Sequence, residues 1–289
     1  MQVAVNGIIS GLTIAVLALA FTAVYLPTRV FHIALAGIYA AVPFIAWAGL
    51  KQGWPWYLAA VTATLTGVTL SISCEVFNHQ PLERKRALPG VHLVSSLGIN
   101  MILVQAAALL WGNEPKILRT GLDTVLKTGD VVLSPTQLPA AAVALLLLAG
   151  FYVWLRFSNL GLQFRGLADN PVEMALRGHN VRRLRLLAFG ISGLLASAAS
   201  LTTAFDLGFN PYTGLPALLL AVVAMIIGGR QSFVGPVVGG LLLGLLRSEV
   251  VWFLSARWQE GVTFLLLGIF LLLRPEGLFG PKVRLEAQA

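Results

Sequence analysis

The sequence has little charge. Asp, Glu, Lys and Arg make up 11% of its 289 residues, whereas 57% are hydrophobic. Soluble domains carry roughly 25% charged residues, so this chain has too few to cover a globular surface. The high apolar content excludes intrinsic disorder, and the mean hydropathy is +0.82. The composition therefore predicts an all-α polytopic membrane protein.

Cysteine is also scarce, and chemistry-bearing motifs are absent. Cys74 is the single cysteine, which excludes an intramolecular disulfide and a cysteine-based metal cluster. The histidines are His32, His79, His92 and His179, and their spacing is not that of metal ligands. The sequence contains neither a P-loop nor an H-E-x-x-H motif. We therefore predict no metal, no cofactor and no catalytic residue in this chain.

One short motif resembles that of an enzyme. Gly190-Ile191-Ser192-Gly193 matches the G-x-S-G pattern of intramembrane serine proteases. Those enzymes need a histidine on a later span, and no histidine follows Ser192. A serine without a base is not an activated nucleophile, so the sequence disfavours an intramembrane enzyme.

The excess of basic residues has a membrane explanation. The formal net charge is +8, from 20 Lys and Arg against 12 Asp and Glu. In a soluble chain this balance would indicate nucleic-acid binding. Here the basic residues cluster in short segments between apolar runs, as the positive-inside rule requires. We therefore predict that the chain contacts membrane lipid and does not bind nucleic acid.

Apolar runs of the right length predict the membrane spans. A helix needs about 20 residues to cross the hydrocarbon layer. We expect about 8–9 transmembrane helices, and the short seventh and ninth candidates resemble half-helices. The candidates are Val5–Leu26, Val30–Leu50, Trp54–Ser73, His92–Trp111, Leu138–Phe157, Leu184–Phe205, Leu215–Gly229, Ser232–Leu254 and Val262–Leu273.

The loops between these spans predict the orientation. Three segments that nine spans place on one side are basic: the loop Cys74–Gly90, the loop Ser158–Arg183 and the C-terminal tail. Positive segments stay in the cytoplasm, so we expect an inner-membrane protein whose N-terminus is outside and whose C-terminus is cytoplasmic. The residues behind this orientation are Arg84, Lys85, Arg86, Arg165, Arg177, Arg182, Arg183, Arg274, Lys282 and Arg284.

Small and charged residues within the spans are also informative. Gly7 and Gly11 form one G-x-x-x-G pair, and Gly240 and Gly244 form another, which predicts tight helix packing. The eighth span also contains Arg247 and Glu249. Charged residues inside a membrane usually serve function or pair with a neighbour. Because these two lie two residues apart, they point to different faces of the helix.

A short, fully capped helix lies in the basic loop 158–183. Asn170 is a good N-cap, and Pro171 falls at the first helical position, where its missing N–H costs nothing. Glu173 falls at the third position, near the positive end of the helix. Gly178 provides a left-handed stop. The resulting helix, Pro171–Arg177, is about 10 Å long, so it needs support either from the bundle or from a partner.

Taken in order, these features resemble the permease subunits of ABC importers for branched-chain (hydrophobic) amino acids. The resemblance covers nearly the whole chain and is strongest from Gly161 to Gly280. The middle of the chain resembles the shorter permease half of the heterodimer. The matching stretches are GLQFRGLADNPVEMALRGHN, NPYTGLPALLLAVVAMIIGG, SFVGPVVGGLLLG, RPEGLFG, Pro81-Leu82-Glu83-Arg84 and Ser96-Leu97-Gly98-Ile99-Asn100.

The chain departs from the family pattern at two places. The family shows N-F-A-H-G after the first span, where this chain has His32-Ile33-Ala34-Leu35-Ala36-Gly37. By resemblance that region lies near the translocation path, so another neutral or hydrophobic amino acid, urea or a small amide stays open as substrate. The family's G-G-I-G-S is here Gly228-Gly229-Arg230-Gln231-Ser232, and Arg230 suggests an altered cytoplasmic contact.

The resemblance implies a fold, partners and a mechanism. It implies one transmembrane permease domain over residues 1–289 with a coupling segment at 158–183, paired with a second homologous permease subunit. Two ABC ATPase subunits would bind ATP and Mg²⁺, and a periplasmic substrate-binding protein would deliver the substrate. The short helix would be the coupling helix that docks on an ATPase. The implied ATPase-contacting residues are Asp169, Asn170, Pro171, Glu173, Met174, Leu176 and Gly178.

Two further residues are candidates for the translocation path. His32 and Asn100 are polar residues within predicted spans, where such residues either line a path or satisfy a neighbouring helix. A stand-alone secondary transporter or channel for small solutes is the alternative function. No span carries a chain of carboxylates of the kind that a proton-driven transporter often needs, which weakens that alternative.

Overall fold

The computed structural model describes residues 1–119, 126–128 and 131–280. Lys282 and Arg284, which contribute to the predicted orientation, lie outside the described residues. The helices are α1 Gln2–Thr28, α2 Ala34–Lys51, α3 Trp56–Cys74, α4 Gln80–Arg84, α5 Pro89–Trp111, α6 Gln137–Phe157, α7 Asn159–Asp169, α8 Pro171–Leu176, α9 Val181–Leu207, α10 Gly214–Gly228, α11 Gly235–Phe253 and α12 Gln259–Leu273. A small antiparallel hairpin pairs β1 Leu126–Thr128 with β2 Val131–Leu133.

The predicted spans correspond to helices. Within the described residues, eight helices are long and apolar enough to cross a membrane. The seventh candidate is the shorter α10, which has 15 residues. The all-α prediction of about 8–9 spans, some of them short, is therefore confirmed. His32 lies in the connection between α1 and α2 rather than inside the second span.

The predicted loop Cys74–Gly90 is wrong over most of its length. Helix α3 continues through a π-helical turn, Glu75–His79, into α4, so the helix is unbroken to Arg84. The polar residues of this segment suggested a loop. In the structure Glu75 is fully buried and its carboxylate pairs with Arg185 of α9, which satisfies its charge inside the bundle. A π-helical turn contains one residue more than an α-helical turn, so it changes the direction in which the side chains of this segment point.

Helix α1 lies at the centre of the bundle and packs against α6, α9, α10 and α11. Its buried side chains join the core with large residues of the other helices, such as Phe164, Leu195, Leu218 and Leu243. The outer helices α3, α5, α6 and α12 instead leave many large apolar side chains exposed. Such a surface is suited to lipid tails, which are as apolar as the core.

The two G-x-x-x-G pairs face each other and form the kind of tight helix packing that the sequence predicts. A Cβ added at Gly244 would overlap the Gly11 Cα, and one at Gly240 would lie 2.6 Å from the Ala15 Cα. A Cβ at Gly7 would lie 2.9 Å from the Leu245 Cα. These glycines therefore let the backbones of α1 and α11 approach more closely than any larger residue would permit.

The ends of the bundle differ in composition. At one end a cavity is lined by Leu26 of α1, Arg165 of α7 and Gln231 of the turn after α10, so these three segments lie close together. We call this the basic end, because its connections contain most of the basic residues that predict the orientation. At the opposite end the backbones of Lys116 and Phe209 pair through two 2.8 Å hydrogen bonds.

Candidate functional site

The short helix predicted in the basic loop is present at the basic end. Helix α8 spans Pro171–Leu176, one residue shorter than predicted. The Asn170 side-chain oxygen accepts hydrogen bonds of 3.1 Å from the backbone N–H groups of Val172 and Glu173. Gly178 has a φ of 83°, a left-handed conformation that glycine adopts without strain. Both caps are therefore made as the local sequence predicts.

Met174 anchors α8 to the protein itself. Its side chain is 8% exposed and packs with Leu167 of α7 and Leu184 of α9. The sulfur fits over Gly166, where an added Cβ would lie 2.7 Å from it. Met174 therefore supports the helix from within, so an effect of this residue on a docked partner would be indirect.

The opposite face of α8 is exposed. Leu176 is 84% exposed and Val172 is 67% exposed. Between them, the Glu173 carboxylate and the Arg177 guanidinium form an exposed ion pair at 2.5 Å. The other predicted contact residues, Asp169, Asn170, Pro171 and Gly178, are also exposed. The helix therefore presents an apolar and a charged strip that the bundle does not cover.

A second helix, α7, which was not predicted from the sequence, precedes α8 and packs against it. Its N-cap is Ser158, whose hydroxyl oxygen accepts a 2.8 Å hydrogen bond from the Gly161 N–H. A cavity of about 280 Å³ separates α7 from the turn before α11. Arg156, Arg165 and Asp169 line it beside Gln231. The basic end thus contains a cavity that reaches Asp169, the last residue of α7.

A buried ion network joins the start of α9 to the α3–α4 segment. The Arg185 Nε is 2.7 Å from one Glu75 oxygen, and its Nη1 is 2.5 Å from a Glu83 oxygen. Arg185 lies one turn into α9, close after α8. A charged contact, in addition to apolar packing, therefore joins the helix that follows α8 to the α3–α4 segment.

Histidines that are far apart in the sequence meet beside this network. The Nδ1 atoms of His79 and His92 are 3.2 Å apart, and the His79 Nε2 is 3.3 Å from the His32 Nδ1. His79 thus lies between the other two. Burial lowers the pKa of His32 well below its usual range, and His79 adds a smaller effect in the same direction. Among the described residues, no group of His, Cys, Asp and Glu is arranged to hold a metal ion.

The two candidate path residues occupy helix contacts. His32 is fully buried against the Phe189 ring, with ring centroids 4.9 Å apart. Asn100 is 5% exposed on α5, where its backbone packs against Gly37 of α2. The His32 Nε2 and the Asn100 Oδ1 are buried without a hydrogen-bond partner in the described part of the chain. Neither residue lines the larger cavity of the bundle, and their role in a translocation path stays a prediction.

That larger cavity is at the opposite end and has a volume of about 570 Å³. It lies between the end of α9, residues 208–213, α10, α11 and α12. Arg247 and Glu260 are the charged residues in its lining. The Arg247 guanidinium donates 3.3 Å hydrogen bonds to the Thr263 hydroxyl and the Gln259 side-chain oxygen. The sequence predicts that Arg247 lies inside a span, but its proximity to Glu260 is not visible there because the two lie on different helices.

Comparison with known proteins identifies the family. A family model described as "Branched-chain amino acid transport system / permease component" matches residues 3–272. The chain belongs to this family.

This chain matches two relatives over nearly its full length and a third over a shorter part. It is 27% identical to the high-affinity branched-chain amino acid transport system permease protein LivH of Escherichia coli K12, covering 96% of this chain and 95% of that protein. It is 29% identical to the corresponding protein BraD of Pseudomonas aeruginosa, covering 98% and 97%. The autoinducer 2 import system permease protein LsrC of an Enterobacter strain is 32% identical, covering 62% of this chain and 54% of that protein.

A solved structure of similar extent is PsaBC from Streptococcus pneumoniae in complex with Fab, with a TM-score of 0.49 and 14% identity over 95% of this chain and 92% of that chain. The family match identifies this chain as a multi-pass membrane permease component. It does not favour the alternative of a stand-alone transporter or channel. The resemblance in the sequence, which rests largely on residues 161–280, is thereby confirmed at the level of the family.

Proposed function

We propose that this chain is the transmembrane permease subunit of an ABC importer for branched-chain or related hydrophobic amino acids. The substrate class comes from the relatives LivH and BraD, whose names specify branched-chain amino acid transport. The chain works with a second permease subunit, two ABC ATPases and a periplasmic substrate-binding protein. ATP hydrolysis takes place in the ATPases, and we expect no enzymatic activity or cofactor in this chain.

The observation that carries the mechanism is the exposed face of α8. A helix of six residues is not stable alone in water, and here Asn170 caps it while Met174 anchors it. Leu176 and Val172 nevertheless point away from the bundle. We assign this face, with Asp169, Asn170, Pro171, Glu173 and Gly178 around it, as the coupling surface that docks on an ATPase. Met174 positions the helix from behind.

The proposed orientation follows the charge. The basic end, with the coupling segment 158–183, faces the cytoplasm, where basic connections are retained. The N-terminus is then outside and the C-terminus inside. This arrangement places α8 on the side where ATP is available and the larger cavity on the side where a binding protein delivers substrate.

The coupling surface predicts the effect of one substitution. Leu176→Glu replaces an exposed apolar contact with a charge, so it should preserve the fold and abolish ATP-dependent uptake. The measurement is leucine uptake by the complex isolated through this chain and reconstituted into liposomes, together with recovery of the ATPases. Leu88→Glu is the matched control, because Leu88 is 74% exposed just before α5, outside the coupling segment.

Either result decides the proposal. Loss of both uptake and ATPase recovery in Leu176→Glu, with the control unchanged, supports docking at α8. Normal coupled uptake in Leu176→Glu would rule out this surface. Uptake by the purified chain alone, without ATP, would overturn the importer assignment itself.

A further inference from the structure

We propose that the larger cavity is a binding site for the zwitterionic group of an α-amino acid, with Arg247 holding the carboxylate and Glu260 the ammonium. The inference rests on the proposed function and names the residues through which this chain would recognise its substrate. It concerns the end of the bundle opposite the coupling surface.

The cavity has the size and depth of a small-molecule site. Its volume of about 570 Å³ is within the range of about 300–1,000 Å³ typical of ligand pockets. It lies beside the start of α10, where Gly214 packs so closely on α2 that an added Cβ would overlap the Ala36 carbonyl oxygen. The lining includes the buried residues Tyr39, Ser200 and Ala204, so the cavity extends into the bundle. The cavity is therefore more than a shallow depression between helix ends.

The apolar walls suit a hydrophobic side chain. They are formed by residues from three helices, namely Leu207, Pro216, Leu219, Leu220 and Phe264. Tyr39, Ser200 and Thr203 add hydroxyl groups to the lining. A small number of polar groups on a largely apolar wall is the usual pattern of a site that orients a small ligand.

Arg247 is the unusual residue in this lining. It lies inside α11, six residues before the helix ends at Phe253. A charged side chain in a membrane span is expensive and usually functional. Thr263 and Gln259 orient the guanidinium through hydrogen bonds to Nη1 and Nη2. In the described part of the chain, no carboxylate lies within the 4.0 Å of an ion pair with it.

The two charges complement an amino acid. A guanidinium binds a carboxylate with two parallel hydrogen bonds, and a carboxylate accepts from an ammonium group. Arg247 lies on α11 and Glu260 in the first turn of α12, and both border the same cavity. A hydrophobic α-amino acid has a carboxylate, an ammonium group and an apolar side chain on its α-carbon, and all three match this lining. Urea and simple amides are uncharged, so they match it less well.

Protection of a cysteine by substrate tests binding directly. Leu219→Cys places a thiol in the cavity wall, where Leu219 is 43% exposed, whereas the native Cys74 is buried. We expect millimolar leucine to slow modification of this thiol by a small thiosulfonate in the isolated complex. Isoamylamine, which lacks the carboxylate, and 4-methylpentanoate, which lacks the ammonium, should protect about tenfold less. Equal protection by all three, or by none, would overturn the proposal.

Charge removal tests the same site through transport. Arg247→Gln and Glu260→Gln should each lower leucine uptake about tenfold or more, while the ATPases still respond to the loaded binding protein. The matched controls are Arg257→Gln and Glu249→Gln, which remove the same charges from exposed positions outside the cavity. In addition, Arg247→Gln in the Leu219→Cys chain should abolish protection by leucine.

The outcomes separate this inference from the proposed function. Absence of ATP-dependent uptake by the unmodified complex would contradict the importer assignment. Normal uptake by that complex, combined with unchanged uptake in Arg247→Gln and no protection of the Leu219→Cys thiol by leucine, would overturn only the amino-acid site. A purely structural role for Arg247 would leave leucine protection intact in Arg247→Gln.

Discussion

Arg185 shows how one side chain can link α9 to the α3–α4 segment. Its guanidinium contacts the fully buried Glu75 and the half-exposed Glu83. Both carboxylates belong to the continuous helix that runs from α3 through the π turn into α4. Removing one partner of a buried ion pair costs more than the pair contributes, because the other charge stays buried.

At this scale we predict that Glu75→Gln destabilises the protein by about 3 kcal/mol or more. Glu83→Gln should cost far less, because the Glu83 side chain is 53% exposed and water replaces the lost contact. Thermal unfolding of the two variants in the same detergent measures the difference. Equal midpoints for both variants would show that the buried pair does not hold α9 against the α3–α4 segment.

At the scale of the elements, the sequence predicted best where the signals are local. Asn170, Pro171 and Gly178 determine where α8 starts and stops, and the helix ends within one residue of the prediction. Helix α7 was missed although Ser158 is an adequate N-cap signal. The extent of α3 and α4 was missed because the partner that satisfies Glu75 is 110 residues away.

The close glycine packing between α1 and α11 is the helix contact whose disruption should have the clearest effect on stability. Gly244→Val would place a side chain against the Gly11 backbone, where an added Cβ already overlaps the Cα. We expect the helices to separate, at a cost of about 1–3 kcal/mol or more. Gly268→Val in α12 is the matched control, because no atom lies within 4 Å of its added Cβ.

The readout is the fraction of the chain that elutes as a monodisperse peak after heating in detergent. Gly244→Val should lower the temperature at which half of this peak is lost. Gly268→Val should leave that temperature near the value for the unmodified chain. If the two valine variants lost the peak at the same temperature, close packing of α1 on α11 would not be a main source of stability.

At the scale of the whole molecule, the direction of insertion is the property to establish. The basic end includes Lys85, in the connection before α5, and the opposite end includes Gln52, in the turn after α2. Both residues are exposed. In a chain with Cys74→Ser, we expect Gln52→Cys to react with an impermeant maleimide in intact spheroplasts. Lys85→Cys should react only after lysis, and the reverse pattern would contradict the proposed orientation.

The composition and the lengths of the apolar runs determined the structural class of this protein. Low charge and long apolar runs predict a bundle of spanning helices, each of which satisfies its own backbone hydrogen bonds in lipid. The capping residues of α8 and the glycines of α1 and α11 could also be recognised, because their geometry depends on neighbours in the chain or on a simple spacing. The family resemblance rested on the same local patterns.

Tertiary structure alone decided which distant residues meet. His32, His79 and His92 lie far apart in the sequence, and only the packing of three segments brings their rings together. Arg247 and Glu260 share a cavity because α11 and α12 pack side by side. The inward side chain of Met174 and the outward one of Leu176 likewise depend on how α8 packs on α7 and α9. These juxtapositions arise from contacts between helices, which a single sequence does not encode as a local pattern.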